Sequence, residues 1–217
     1  MKKSLLSITL SSLLATSALV STQAAATDIE GLSANIGVVS QYIFRGVVQT
    51  DTASASAGVD YETDGFYIGA WTADVQDGLE VDVFGGYANE LDSGLGYSLG
   101  FTTYQYTGDF DSAYNEINLG LSYSFFSVSY NVGTREKDSG LSIAETDYNF
   151  LSVTAEYEGV YVTYGTWGDE LDGDYLEAGY GTEMSGFDVG VAIVATSKDL
   201  TGAESDENLV FSIGKSF

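Results

Sequence analysis

From residue 27 onward the hydrophobic positions recur with a period of two rather than 3.6, in segments of roughly ten residues. Leu32, Ala34, Ile36, Val38, Tyr42 and Phe44 share one face of the first segment, and Asn35, Gln41 and Arg45 the other. In the second, Ala55, Ala57, Val59 and Tyr61 stand opposite Ser54, Ser56, Gly58 and Asp60. Ile117 to Phe125 alternates with Asn118, Gly120, Ser122 and Ser124, and Phe126, Val128, Tyr130 and Val132 follow in opposite parity. That switch predicts a two-residue turn at Ser124-Phe125, because the residues flanking such a turn pair on one face. Similar faces run over Leu95 to Thr103, Leu151 to Tyr157, Val160 to Tyr164, Leu176 to Thr182 and Phe187 to Ala195. Residues 66–75 and 79–88, which alternate less cleanly, and Leu209 to Phe217 bring the expected strands to twelve.

The connections have a rhythm of their own. Short turns at Glu62 to Gly65, Ser124-Phe125, Glu158-Gly159 and Glu183 to Gly186 alternate with longer loops. The loops are Thr72 to Gly78, Thr107 to Ala113, Thr134 to Asp147, Gly168 to Asp174 and Ser197 to Asn208. Short turns at one end and long loops at the other is the arrangement of a membrane barrel. A soluble sandwich also alternates, but its solvent face normally carries many lysines, whereas the second face here is Ser, Thr, Asn, Gly and acids. The pattern therefore predicts an all-β fold, a transmembrane antiparallel up-and-down β-barrel of twelve strands over residues 27–217. Residues 1–26 read as a secretory signal: Lys2 and Lys3, a hydroxyl-diluted apolar run from Leu5 to Val20, and small residues at Ala24-Ala25-Ala26. That run is too short and too polar for a spanning helix.

Composition removes whole classes of chemistry. The 217 residues include no His, Cys or Pro, so Ser-His and Cys-His nucleophile pairs, His-ligated metals and disulfides are excluded. No cofactor and no metal site is expected. With 7 Lys and Arg against 32 Asp and Glu, the formal charge is −25, and nucleic acid, which is bound through cations, is not an expected partner. The chain is nonetheless 44% hydrophobic, with 16 Tyr and 11 Phe, so the acids do not signal disorder.

Several motifs resemble a known family. Ser40-Gln41-Tyr42-Ile43-Phe44-Arg45-Gly46 with Gln49-Thr50, then Gly65-Phe66-Tyr67-Ile68-Gly69-Ala70-Trp71, Glu80-Val81-Asp82 and Gly86-Tyr87 are similar to the motifs of the TorF-family porins, also catalogued as Gcw_chp outer-membrane proteins. The resemblance spans nearly the whole chain after residue 26 and is densest in its first third. It implies a barrel in the outer membrane of Gram-negative bacteria and carries over no catalytic residue. Leu209, Phe211 and Ile213 leading to a terminal Phe217 look like the signal by which the barrel assembly machinery recognises its clients, with Lys215 snorkelling at the interface.

Twelve strands about 4.8 Å apart and tilted about 40° enclose a cylinder roughly 24 Å across, between side-chain-filled eight-stranded barrels and open porins. By parity the channel-lining set comprises Asp60, Glu80, Asp82, Glu116, Glu156, Glu177 and Asp188, with Arg45 as the opposing cation. Such a lumen predicts passage of ions or small hydrophilic solutes with a preference for cations. A barrel closed by its own side chains and serving as an adhesin or structural protein is the alternative. A hydrolase using Glu80 and Asp82 is disfavoured, since two acids at i and i+2 arise by chance in so acidic a chain. Trp71 and Trp167 are expected in the interfacial girdle. Lipid and lipopolysaccharide are expected neighbours, with Arg135 and Lys137 facing phosphates and the run Asp169-Glu170-Leu171-Asp172-Gly173-Asp174 solvated or bridged to them by divalent ions.

Overall fold

The computed structural model describes residues 29–202 and 204–217, so the expected signal at 1–26 lies outside the described residues. Strand β1 (Leu32–Val39) leads into a small hairpin, β2 (Ile43–Phe44) and β3 (Val47–Val48). There follow β4 (Ser54–Thr63), β5 (Phe66–Asp74), β6 (Leu79–Glu90), β7 (Leu95–Tyr106), β8 (Tyr114–Tyr123) and β9 (Phe126–Arg135). The chain continues through β10 (Thr146–Tyr157), β11 (Val160–Asp169), β12 (Gly173–Met184), β13 (Phe187–Thr196), a single helical turn α1 (Lys198–Thr201) and β14 (Asp206–Ser216).

All strands except β2 and β3 form one closed antiparallel barrel, the twelve-stranded fold that the alternation predicts. Neighbours in sequence pair throughout, and the ring is sealed by β1 lying beside β14, from Asn35 opposite Ser216 to Val39 opposite Ser212. Phe217 extends the seam, its N–H donating to Ala34 O at 2.8 Å and its carbonyl accepting from Ala34 N at 3.2 Å. Closure leaves no unpaired edge, which is the condition for a sheet to sit in hydrocarbon. The tight turns share one end with the start of β1 and the end of β14, and Asp64-Gly65 shows how they are built. Both residues have positive φ (50° and 85°), the pair a type I′ turn requires.

Two polarity regimes divide the wall along its length. Toward the turn end the outward positions are apolar and exposed: Ile36, Ile68, Leu99, Phe101, Ile117, Leu119, Val132, Leu151, Val162, Ile193 and Phe211 belong to this belt. The corresponding inward positions are Ser98, Gly100, Gly120, Ser129, Ser152, Thr163, Gly190 and Ser212. Apolar outside and polar within is the order a bilayer imposes on a barrel. Toward the loop end the order inverts. Tyr104, Tyr148, Phe150, Trp167 and Tyr175 point inward and are buried, while Thr103, Gln105, Asn149, Thr166 and Asp174 stand on the outer face. There the barrel is built like a water-soluble one, with an aromatic core inside.

The inversion explains where the sequence reading stops short. Strands β7, β8, β10 and β12 run several residues past the expected ends because their loop-end portions keep the period of two with its faces exchanged. The expected loops at Thr72 to Gly78 and Gly168 to Asp174 are partly strand, since β5 runs to Asp74, β11 to Asp169 and β12 begins at Gly173. In the other direction, β1 ends at Val39, so Tyr42, Phe44 and Arg45 do not continue the wall as the first segment's alternation implies. They belong to a connection that folds inward.

Candidate functional site

The connection of residues 40–53 enters the lumen and is held there by its own bonds. Gln49 and Thr50 donate backbone N–H to Tyr42 O at 2.8 and 3.3 Å, Tyr42 N–H donates to Thr50 Oγ1 at 2.9 Å, and Thr50 Oγ1 donates to Thr52 O at 2.7 Å. At the tip, Arg45 and Gly46 both take positive φ (48° and 83°), turning Phe44 onto Val47. A side chain at Gly46 would strike the Tyr175 ring at 2.8 Å, so the tip fits against β12 only as glycine.

Wall residues from many strands grip this tip. Arg45 donates through two nitrogens to the two Glu116 oxygens, at 2.6 and 2.8 Å, and its guanidinium carbon lies 4.8, 4.5 and 5.6 Å from the ring centroids of Phe44, Phe150 and Trp167. The Trp167 indole N–H donates to Arg45 O at 3.0 Å, and the Thr196 hydroxyl donates to Gly46 O at 3.0 Å. Across the lumen the Tyr42 hydroxyl donates to Glu80 Oε1 at 2.7 Å, with the Tyr42 ring edge-on to Trp71 at 5.8 Å. Ile43 packs with Tyr148, Phe150, Trp167, Tyr175, Val194 and Val210, and Tyr42 with Ala73 and Val75. The hairpin is thus a packed crossbar, held by β5 and β6 on one side and by β8, β10, β11 and β13 on the other.

Glu116 is the most heavily bonded acid among the described residues. Besides Arg45 it accepts from the Tyr148 hydroxyl at 3.0 Å, the Tyr104 hydroxyl at 3.3 Å, Asn131 Nδ2 at 3.0 Å, and Asn118 Nδ2. A carboxylate with this many donors and a fork-shaped cation is well compensated for its burial. Asp82 is the opposite case: its side chain is wholly buried and neither oxygen has a hydrogen-bond partner. Glu177, equally buried, accepts from Tyr161 at 2.6 Å through Oε1 and has no partner at Oε2. Strands β6 and β12 stand six places apart in the ring of twelve, so these two undercompensated acids occupy opposite walls.

The predicted lining residues therefore fall into two groups. Glu80, Asp82, Glu116 and Glu177 are buried in the lumen with Arg45 among them. Asp60, Glu156 and Asp188 also occupy inward positions, but near the turn end of their strands, with Asp188 buried, Asp60 half-buried and Glu156 exposed there. Both tryptophans depart from expectation. Trp71 and Trp167 face inward and hold the hairpin instead of sitting in an outer girdle, because the aromatic core of the loop end requires large rings. Tyr104, Tyr148, Asn118 and Asn131 are not site candidates on sequence, and Tyr42 enters there only as an apolar-face and motif residue. Their only signal is parity shared with Glu116 or proximity to the Arg45-Gly46 turn.

At the loop end of β9, Arg135 shares the inward parity of Asn131 and is paired with Asp111, which also accepts from the Tyr114 hydroxyl at 2.8 Å. In the acidic run, Glu170 accepts from Asp147 N–H at 3.0 Å and Asp174 from the Tyr164 hydroxyl at 3.2 Å. Lys215 lies 5.6 and 5.2 Å from the rings of Phe187 and Phe217.

A family model described as "Bacterial protein of unknown function (Gcw_chp)" matches residues 23–217. No curated protein matches the chain by sequence. Among solved structures, the fold is similar to the "KdgM porin", with TM-score 0.57 and 10% identity over 85% of this chain and 98% of that one. It is also similar to a structure described as "Unveiling the Mechanism Behind the in-meso Crystallization of Membrane Proteins", with TM-score 0.62 and 9% identity over 85% of this chain and 83% of that one. At these identities the likeness concerns the fold.

Proposed function

Since the chain belongs to the Gcw_chp family of bacterial proteins of unknown function, its role has to be read from its own lumen, and we propose that it is an outer-membrane channel for ions or small hydrophilic solutes, with a preference for cations. One observation carries this reading: a closed barrel with an apolar belt outside has five buried carboxylates within, Glu80, Asp82, Glu116, Glu177 and Asp188, against one buried guanidinium. In such a lumen the carboxylates that water and entering solute allow to ionise attract cations and repel anions, Arg45 having neutralised Glu116. The fold it shares with the KdgM porin supports a channel without naming the solute. The motif resemblance extends the assignment to the TorF porins of Gram-negative bacteria. Residues 1–26 then serve as the export signal, and the strand ending at Phe217 as the mark read by the assembly machinery. Lipid lies against the belt, and lipopolysaccharide lies beside the acidic loops, where Lys137 and divalent ions meet its phosphates.

The hairpin qualifies the reading. It is packed into two apolar clusters, so solute passes only around or after displacement of this crossbar. The same packing favours a second reading, in which the barrel is permanently closed and serves as an adhesin or structural protein. Reversal potentials in planar bilayers decide between them. Under a salt gradient the channel reading predicts current with a potential of the cation sign. A preference for chloride contradicts the selectivity, and absence of current in every preparation supports the closed barrel.

A further inference from the structure

We propose that the wall around Glu116 is a receptor for the guanidinium group, occupied in this structure by the chain's own Arg45, and that it accepts free solutes bearing that group. The inference deepens the channel reading by naming a solute class; it rests on that reading for passage but not for binding.

The receptor belongs to the wall, whereas its occupant belongs to the connection. Glu116 is fixed from β7, β8, β9 and β10 by Tyr104, Asn118, Asn131 and Tyr148, all of them wall residues, of which Tyr104 also meets Phe44 edge-on and Tyr148 packs with Ile43. Its two oxygens are presented side by side, and Arg45 meets each with a separate nitrogen. Phe150 on β10 and Trp167 on β11 supply ring faces at 4.5 and 5.6 Å. If the hairpin withdraws, Phe44 leaves with it, but the carboxylate, its four neutral donors and these two rings remain. A pre-oriented carboxylate beside aromatic faces fits a planar, weakly hydrated cation. An ammonium is a compact, strongly hydrated point charge that cannot span both oxygens in one plane, so the same wall discriminates arginine-like from lysine-like solutes.

Arg45 competes with any such solute, and the apparent affinity of the unaltered protein is reduced by the fraction of time the hairpin is withdrawn. Removing the Arg45 side chain while keeping the rest of the hairpin should expose the receptor. The test uses Arg45→Ala in a Trp71→Phe background, refolded in detergent micelles, so that Trp167 is the sole indole. L-arginine should change its emission saturably, L-lysine at matched ionic strength should act about tenfold more weakly, and adding Glu116→Gln should abolish the response. Equal effects of arginine and lysine, or a response that survives Glu116→Gln, overturn the proposal. Refolding of Arg45→Ala only when arginine is supplied supports it.

Should Arg45→Ala refold under no condition, hydrogen exchange in the unaltered protein decides. Arginine, and not lysine, should speed exchange of the Gln49 and Thr50 amides that bond Tyr42 O, and unchanged exchange overturns the proposal. Arginine binding without current in bilayers removes the channel reading and leaves the receptor; current without arginine binding does the reverse.

Discussion

Burial separates the inward acids by what each has been given. Glu116 has a guanidinium and four neutral donors, Glu80 has the Tyr42 hydroxyl, and Asp82 has nothing. Replacing Glu116 by Gln leaves a buried guanidinium with no counter-charge, a loss of the order of 3–5 kcal/mol where one partner of a buried pair is removed. Urea unfolding of the refolded protein should show that loss as a lower midpoint. Trp167→Phe is milder. It keeps an aromatic ring against Tyr148 and Phe150 and removes the donor to Arg45 O, so a cost of about 1–3 kcal/mol is expected from the same measurement. Of these residues, the acids were legible because charge on an inward parity position is conspicuous, and Arg45 because it is an isolated cation, although it reaches the lumen from the connection and not from the wall. The tryptophans were not, since an alternating pattern does not tell a ring that faces lipid from one that faces an aromatic core.

At the scale of elements, the barrel strands announce themselves wherever one face meets the apolar belt and the other is small and polar. In β8 and β9 the expected Ser124-Phe125 turn is found between Tyr123 and Phe126, because both strands alternate cleanly up to it. The hairpin was hidden by coincidence of parity: Tyr42 and Phe44 continue the even-numbered apolar positions of β1 although the backbone has left the wall after Val39. A positive-φ Arg45-Gly46 pair within an apparent strand is the local contradiction, and conformation cannot be read from residue types alone. Because the wall pairs independently of the hairpin, replacing residues 41–50 with a short Gly-Ser linker should leave strand content by circular dichroism unchanged. Loss of the strand signal would show that the crossbar is needed for closure. Gly46→Ala should loosen the same hairpin, since the added carbon meets Tyr175, and faster hairpin hydrogen exchange would show it.

Over the whole molecule, the exchange of faces along the strands sets where each function can reside. The belt and its Ser, Thr and Gly lumen form the crossing portion, and the aromatic, hairpin-filled portion projects beyond it toward the loops. Four of the five buried inward acids, Glu80, Asp82, Glu116 and Glu177, lie along the crossbar and beneath it, so the proposed charge selection would act where the lumen is obstructed rather than at a separate level. Asp82→Asn with Glu177→Gln should reduce cation preference, read as a reversal potential closer to zero, while leaving Arg45 and Glu116 paired. The twelve-stranded count, the closed topology and the acidic lumen were all legible in the sequence. The obstruction was not, because it depends on the path of a connection between β1 and β4.

Single-channel recording of the refolded protein, before and after replacement of residues 41–50, tests the central claim most directly. The account predicts small cation-selective steps from the unaltered barrel and steps several-fold larger, still cation-selective, once the crossbar is gone. Silence from both proteins, or currents of equal size from both, would contradict it.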